Sequence, residues 1–272
     1  MSKWNLIVDV AKCTNCNLCT LANQDEHVNN EFEGYSAPMP RHEHVWFDIR
    51  GRERGSGPLL DVVYLPVMCQ QCDDAPCMKA AKNDAVTKRD DGIVIIDPVK
   101  AKGQKEIADA CPYGAVKWNE ELQLPQAWFF DAHLLDNGWE EPRCAQVCAT
   151  GALKAVKISD EEMSTLRQRE GLEELQPESA TKPRVFYKNL KRFTHDFIGG
   201  TIIKTVDGVT DCVADAKIRI ESGGNVLGQA VTDAFGEFKI EGLEPDSGHY
   251  DVVIESVGSS RKKLDVTLGR ST

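Results

Sequence analysis

Apolar positions in the first part of the chain come in short runs. Leu6-Ile7-Val8, Val62-Val63-Tyr64 and Ile93-Val94-Ile95-Ile96 are brief and β-branched, so each predicts a strand. Between them lie cysteine-bearing loops and long insertions such as residues 34–57, which read as surface loops. A helix is signalled by Ser159 and Glu162, a capping box ahead of Met163 and Leu166, and should end near Gly171. The acidic run Asp160-Glu161-Glu162 supplies favourable charge at that helix start. From Ile198 onward the texture is strict alternation broken by turns: Lys217-Ile218-Arg219-Ile220, Glu237-Phe238-Lys239-Ile240 and Tyr250-Asp251-Val252-Val253-Ile254. That pattern predicts a separate all-β domain over residues 198–272.

Composition narrows the setting. The 272 residues are 41% hydrophobic and 28% charged, enough for a sizeable core and consistent with two domains. A formal charge of -11 argues against nucleic acid or an anionic membrane surface and favours a protein partner. Nowhere do some 18 apolar residues run together, so no transmembrane helix and no membrane anchor is expected. With ten cysteines and no secretory signal, the chain reads as cytoplasmic, its thiols reduced and metal-binding rather than paired as disulfides.

The cysteine spacing carries the chemistry. Cys13, Cys16 and Cys19 form one close triple, and Cys69, Cys72 and Cys77 form a second. In paired-cluster ferredoxins three close cysteines hold one iron-sulfur cube, while a fourth, usually before proline, ligates the other. Here the fourth positions fall on Asn23 and Ala81. A third group survives only as Cys111-Pro112-Tyr113-Gly114, with residues 102–110 where its first three cysteines would be, and a fourth keeps Cys144 and Cys148. The alternative for the triples is a zinc ribbon, which needs neither triple spacing nor a Cys-Pro tail. Asn23, Asp131 and Cys144 are read either as a site for another metal or as a polar remnant in a repacked loop, Cys144 then being a spare thiol.

Two resemblances sharpen this. The segment from Thr232 to Phe238, followed by Gly242-Leu243, resembles the turn-then-strand signature of transthyretin-like and carboxypeptidase-regulatory-like sandwiches. Residues 1 to about 190 resemble the four-cluster electron-transfer subunits of the dimethyl-sulfoxide-reductase family of molybdenum enzymes. The order of groups and Thr181-Lys182-Pro183-Arg184-Val185-Phe186-Tyr187 carry that likeness. Within the family, Val8-Asp9-Val10-Ala11-Lys12-Cys13, Asp25-Glu26-His27, residues 50–55, Cys111-Pro112-Tyr113-Gly114 and the added β-domain are similar to the pyrogallol-phloroglucinol transhydroxylase type of small subunit. The fold class implied is α+β. A ferredoxin-like iron-sulfur region with insertions and a helical extension spans residues 1–197, and an all-β transthyretin-like or immunoglobulin-like sandwich follows over 198–272.

The resemblance implies a ligand pairing: Cys13, Cys16, Cys19 and Cys148 for one 4Fe-4S cluster, and Cys69, Cys72, Cys77 and Cys111 for another. A third site would need Asn23, Trp128, Asp131 and Cys144, and a fourth would need Ala81 with cysteines that are absent, so two clusters are expected and two are lost. The transhydroxylase type retains a cluster at the third site, so this chain departs from it there. Bulky Trp128, Phe129 and Phe130 are expected to fill the missing volume.

By the same resemblance this chain carries electrons, while a large subunit with molybdenum bound to two pterin guanine dinucleotides acts on polyhydroxylated aromatics, turning pyrogallol into phloroglucinol without net oxidation. The lost third site lies between the other two in the family order, so the electron path is interrupted. A related oxidoreductase of resorcinol hydroxylase or catechol dehydroxylase type is the alternative, as is a structural subunit whose clusters act as folding staples. A higher oligomer of heterodimers stays open, and the β-domain is expected either to dock a partner or to serve as a stability appendage. No catalytic triad is evident. Cys212 is read as a small packed hydrophobe, His42 and His44 as loop or interface residues, His27 and His133 as unassigned, and Trp46, Trp118 and Trp139 as core or interface anchors.

Overall fold

The computed structural model describes residues 1–42, 44–255 and 261–269, and they divide into two compact units. The first comprises Met1–Gly51 with Tyr64–Leu190, the second Arg52–Val63 with Lys191–Thr272.

The first unit opens with β1 (Lys3–Asp9), continues through α1 (Leu18–His27) and enters a hairpin of β2 (Asp48–Arg54) and β3 (Asp61–Val67), whose tip belongs to the second unit. Short elements follow: α2 (Pro76–Ala80), the ribbon β4 (Val86–Lys88) and β5 (Val94–Ile96), α3 (Glu106–Asp109), the ribbon β6 (Lys117–Asn119) and β7 (Leu124–Gln126), α4 (Ala132–Asp136) and α5 (Arg143–Gln146). The chain then returns as β8 (Leu153–Ile158), α6 (Asp160–Glu170) and β9 (Val185–Lys188). β1 lies between β8, antiparallel, and β9, parallel. The first and last strands of the unit therefore pair with each other, and every cysteine loop lies in the chain between them.

Alternation along β1 gives it two buried faces. Ile7 packs with Met163, Leu172 and Phe186 under α6, whereas Trp4, on the opposite parity, meets Phe130 with ring centroids 5.7 Å apart. The α6 boundaries follow the local code: Ser159 accepts from the Glu162 N–H, Glu162 accepts from the Ser159 N–H at 2.8 Å, and Gly171 closes the helix at φ 61°. Only a residue tolerant of the left-handed region suits that last position.

The expectation that residues 34–57 form surface loops is corrected. Met39, Trp46 and Phe47 are each 1% exposed, and Asp48–Arg54 is a strand. The charged text Arg50-Gly51-Arg52-Glu53-Arg54 reads as exposed, yet Arg54 is fully buried because acids from two other strands meet it.

The second unit adds α7 (Lys191–Thr194), β10 (Asp196–Thr201), β11 (Ile203–Val206), β12 (Val209–Cys212), β13 (Lys217–Ser222), β14 (Asn225–Val231), β15 (Glu237–Leu243), β16 (Gly248–Glu255) and β17 (Lys262–Leu268). An antiparallel sheet of order β14-β13-β16-β17 shares one core with the β10-β15 pair: Ile218, Ile220, Tyr250, Val252 and Ile254 meet Ile198, Phe238 and Ile240. β14 and β15 approach closely at Gly228, where a Cβ would stand 2.4 Å from the Ile240 side chain. Arg54 bonds Asp61 at 2.7 Å and Glu241 at 2.7 Å within this unit, and Lys239 bonds both acids at 2.9 Å. The reading of Cys212 as a packed hydrophobe is also corrected: it ends β12 exposed, because both faces of the β11–β12 hairpin are open to solvent.

Candidate iron-sulfur centres

The loop after β1 holds the first triple. Asn15 and Asn17, with φ 56° and 59°, bend the backbone around Cys16, and Cys19 then enters α1. Asparagine suits these left-handed positions because its short polar side chain bonds locally: Asn17 donates to the Asn15 carbonyl at 3.0 Å. Cys148, just past α5, is brought to the same place. Cys13, Cys16, Cys19 and Cys148 line one small pocket with Ile49, Pro66 and Leu153. The Leu153 N–H points at the Cys148 Sγ at 3.4 Å. Burial pushes the Cys19 thiol up to about 11, and the nearby Cys13 and Cys148 act in the same direction. Such thiols ionise when a cation replaces the proton.

The second triple follows β3. Gln71, φ 51°, precedes Cys72, and Cys77 sits in α2. Cys111 reaches it from the end of α3. Burial raises Cys77 to about 12, with Cys111 and Cys72 adding to the effect, and raises Cys72 to about 11 against a hydrogen bond from Thr181. The Tyr113 and Thr181 hydroxyls are 2.6 Å apart. Each triple thus gathers one remote thiol, giving two sets of four soft donors, the ligand set a 4Fe-4S cluster takes. Among the described residues no three His, Cys, Asp or Glu side chains converge as a single metal ion requires.

The third set of positions is assembled from other groups. Asn23, Trp128, Asp131 and Cys144 are all buried, at 4%, 0%, 2% and 2% exposure. The Trp128 indole N–H donates to Asp131 Oδ1 at 3.0 Å, and the Arg143 backbone N–H donates to Oδ2 at 2.8 Å. His27 Nε2 lies 3.4 Å from the same carboxylate. Burial first, then Asp131 and Cys19, hold the Cys144 thiol well above its ordinary range.

Phe130 occupies φ 59°, a conformation a bulky residue seldom adopts. It stands just before Asp131 as Asn15 stands before Cys16 and Gln71 before Cys72. The residue before Asp131 thus shares the left-handed backbone of the residues before Cys16 and Cys72, while Asp131 itself, at φ 50°, departs from both cysteines. Cys144 lies in the electrostatic reach of Cys19 and Cys148, while the amide of Gln71, in the loop of the second triple, donates to the Trp128 carbonyl at 2.8 Å. At Ala81, which closes α2, the neighbouring Gln104 amide accepts from the Lys82 N–H at 2.8 Å and donates to the Lys100 carbonyl at 2.7 Å.

Sequence reading did not find the network around the third set. His27 is enclosed by Phe32, Trp46, Phe129 and His133, whose ring centroids lie 4.9–5.5 Å away. His133 Nε2 bonds Glu26 at 2.9 Å, and Arg143 bonds Glu26 at 2.6 Å. The adjacent Glu26-His27 pair, an acid beside a histidine, was the one available signal. His44 is buried with Nε2 2.9 Å from the Trp118 carbonyl, and His42 is exposed. Trp46 is core, whereas Trp139 is 39% exposed.

Residues 60–158 match the 4Fe-4S dicluster domain family. The chain is 45% identical over 263 residues to the pyrogallol hydroxytransferase small subunit of Pelobacter acidigallici, covering 96% of this chain and 93% of that one. It is 29% identical over 137 residues to the arsenate respiratory reductase iron-sulfur subunit of a Shewanella species, with 50% and 53% of the two chains covered. It is 27% identical over 162 residues to the thiosulfate reductase electron transfer subunit of Salmonella typhi, covering 60% of this chain and 80% of that one. The family match gives the first unit a ferredoxin-like 4Fe-4S character, and no helix among the described residues is long and apolar enough to cross a membrane.

Proposed function

The chain belongs to the family of iron-sulfur electron-transfer small subunits of molybdoenzymes that includes the pyrogallol hydroxytransferase small subunit, and on that premise we propose a two-cluster, redox-neutral role for it. Cys13, Cys16, Cys19 and Cys148 hold one 4Fe-4S cluster, and Cys69, Cys72, Cys77 and Cys111 hold the other. When bound, such a cluster stores one electron with little rearrangement and offers no open position to substrate. Bond chemistry then belongs to a large partner carrying molybdenum with two pterin guanine dinucleotides, acting on a polyhydroxylated aromatic such as pyrogallol. The complex works in the cytoplasm, where thiols stay reduced.

One observation supports the redox-neutral reading above others. The Trp128–Asp131 pair stands at the spacing of a cysteine pair and is hydrogen-bonded to itself, at the position that the family order puts between the two cluster sites. Aromatic and carboxylate groups at that point leave a gap in which tunnelling decays, so export of electrons to a distant acceptor is slow. Hydroxyl transfer between two rings of equal oxidation level needs no such export. The second unit supplies a transthyretin-like or immunoglobulin-like sandwich, supported by its two facing layers, and serves to dock the large subunit or a second heterodimer. The test is turnover of pyrogallol by the isolated complex without an electron acceptor. Product isomer formed without acceptor agrees with the proposal, and product formed only in step with acceptor reduction contradicts it.

A further inference from the structure

Lys88 ends β4 with its ammonium directed into the second cysteine loop. It donates to the carbonyls of Gln71 at 2.9 Å, Cys72 at 3.0 Å and Gly92 at 3.0 Å, and pairs with Asp73 at 2.8 Å. The side chain is only 16% exposed. Burying a cation there is costly unless its protons are all matched, and here four oxygens match three protons. Asp73 does not cancel the charge, because Arg184 holds both its oxygens at 2.7 and 2.6 Å. Arg184 also meets Asp160 at 3.0 Å, which Lys3 bonds at 2.7 Å, so three cations face two acids and leave a positive surplus.

A second, independent feature points at the same sulfurs. Within a metal-bound set the Cys72 sulfur can only accept, so Thr181 must donate to it. The Thr181 oxygen is then left to accept from the Tyr113 hydroxyl at 2.6 Å, and Tyr113 is 3% exposed. Tyr113 thereby fixes the rotor of Thr181. At the first set Thr20 bonds the Cys19 sulfur as Thr181 bonds that of Cys72, and the Leu153 N–H at 3.4 Å and the Thr150 hydroxyl at 3.8 Å meet Cys148, so what sets the second centre apart is the buried Lys88 ammonium.

We propose that Lys88 and the Tyr113–Thr181 relay raise the reduction potential of the centre held by Cys69, Cys72, Cys77 and Cys111, making it the electron reservoir of the chain. The proposal rests on the two-centre reading above. Reduction adds negative charge to an already anionic thiolate-bound group. A buried ammonium and a hydroxyl aimed at sulfur both favour the reduced form, through net charge and through hydrogen bonding to sulfur. Lys88 and Tyr113 are positioning and tuning residues that never touch substrate.

Redox titration followed by electron paramagnetic resonance on the intact complex tests this, the second centre being the signal altered by Cys111→Ser. Lys88→Met is expected to lower that centre's potential, Lys88→Arg to keep it near the wild-type value, and Thr181→Val to lower it independently, with the first centre unmoved throughout. Tyr113→Phe is expected to shift it in the same direction by less. An unchanged or raised potential in both Lys88→Met and Thr181→Val, an equal shift of both centres, or a Lys88→Arg shift equal to that of Lys88→Met overturns the proposal. About four irons per wild-type chain with one signal overturns the two-centre reading, and this proposal with it.

Discussion

The indole Nε1–H of Trp128 donates to Asp131 Oδ1 at 3.0 Å, so two residues standing at the spacing of a cysteine pair bind each other. Asp131 also accepts from the Arg143 N–H, one of the orphan donors at the start of α5, which ties the loop to the helix carrying Cys144. The Asp131 carboxylate is thereby held through both its oxygens, while the buried Asn23 amide nitrogen and His27 Nδ1 nearby have no hydrogen-bond partner among the described residues.

The two proposed ligand sets separate cleanly by substitution. Cys148→Ser and Cys111→Ser are each expected to remove about four irons per chain, from different centres. Cys144→Ser is expected to leave the iron content unchanged, although Cys144, at 2% exposure, is more buried than any of the eight proposed ligands. Iron analysis of the three variants checks this, and iron loss in Cys144→Ser speaks against the assignment.

Trp128 carries the packing of the replaced site. It stacks on Phe130 at 4.8 Å and meets Phe47 at 4.9 Å with no exposure. Trp128→Ala is expected to cost about 3–5 kcal/mol through the cavity left behind, and also strips Asp131 of a donor. Trp128→Phe should cost less. The thermal midpoint of the complex reads the difference, and a midpoint near wild type for the alanine variant refutes the filling role.

What could be read from the text, and what could not, divides by range. The α6 helix was legible to the residue because Ser159, Glu162 and Gly171 act on their immediate neighbours. The two triples were legible from spacing. That Cys148 joins the first and Cys111 the second came from family resemblance, since nothing local near either thiol names its partners. Arg54 was misread for the same reason: its acids, Asp61 and Glu241, stand on β3 and β15. The left-handed Phe130 left no signal at all, because phenylalanine does not advertise that conformation as asparagine does at Asn15.

Arg54 should matter to the second unit beyond its charge. Against the effect of burial, Lys239 and Arg54 hold the Asp61 carboxyl far below its usual range, and removing Arg54 takes one of these cations away. Arg54→Met is expected to destabilise that unit by about 2 kcal/mol, reduced from the value for a fully buried pair because Asp61 and Glu241 are partly exposed. Hydrogen exchange over β10 and β15 checks it, and unchanged protection there contradicts it.

His133 gives the fold a pH dependence. Burial lowers its pKa below the ordinary 6.5, with Glu26 opposing, so the folded chain resists a proton that the unfolded chain accepts. Its contribution is intact above 6.5 and declines as pH falls through the window between 6.5 and the lower folded value. The thermal midpoint should drop in that window, and His133→Gln should flatten the drop. An equal slope in the variant shows that other groups set the dependence.

The central claim is that this chain holds two cubes and has closed a third site with Trp128 and Asp131. Iron and acid-labile sulfide per small subunit, measured on the anaerobically isolated complex, test it most directly. The expected result is about eight of each, and about twelve would contradict it.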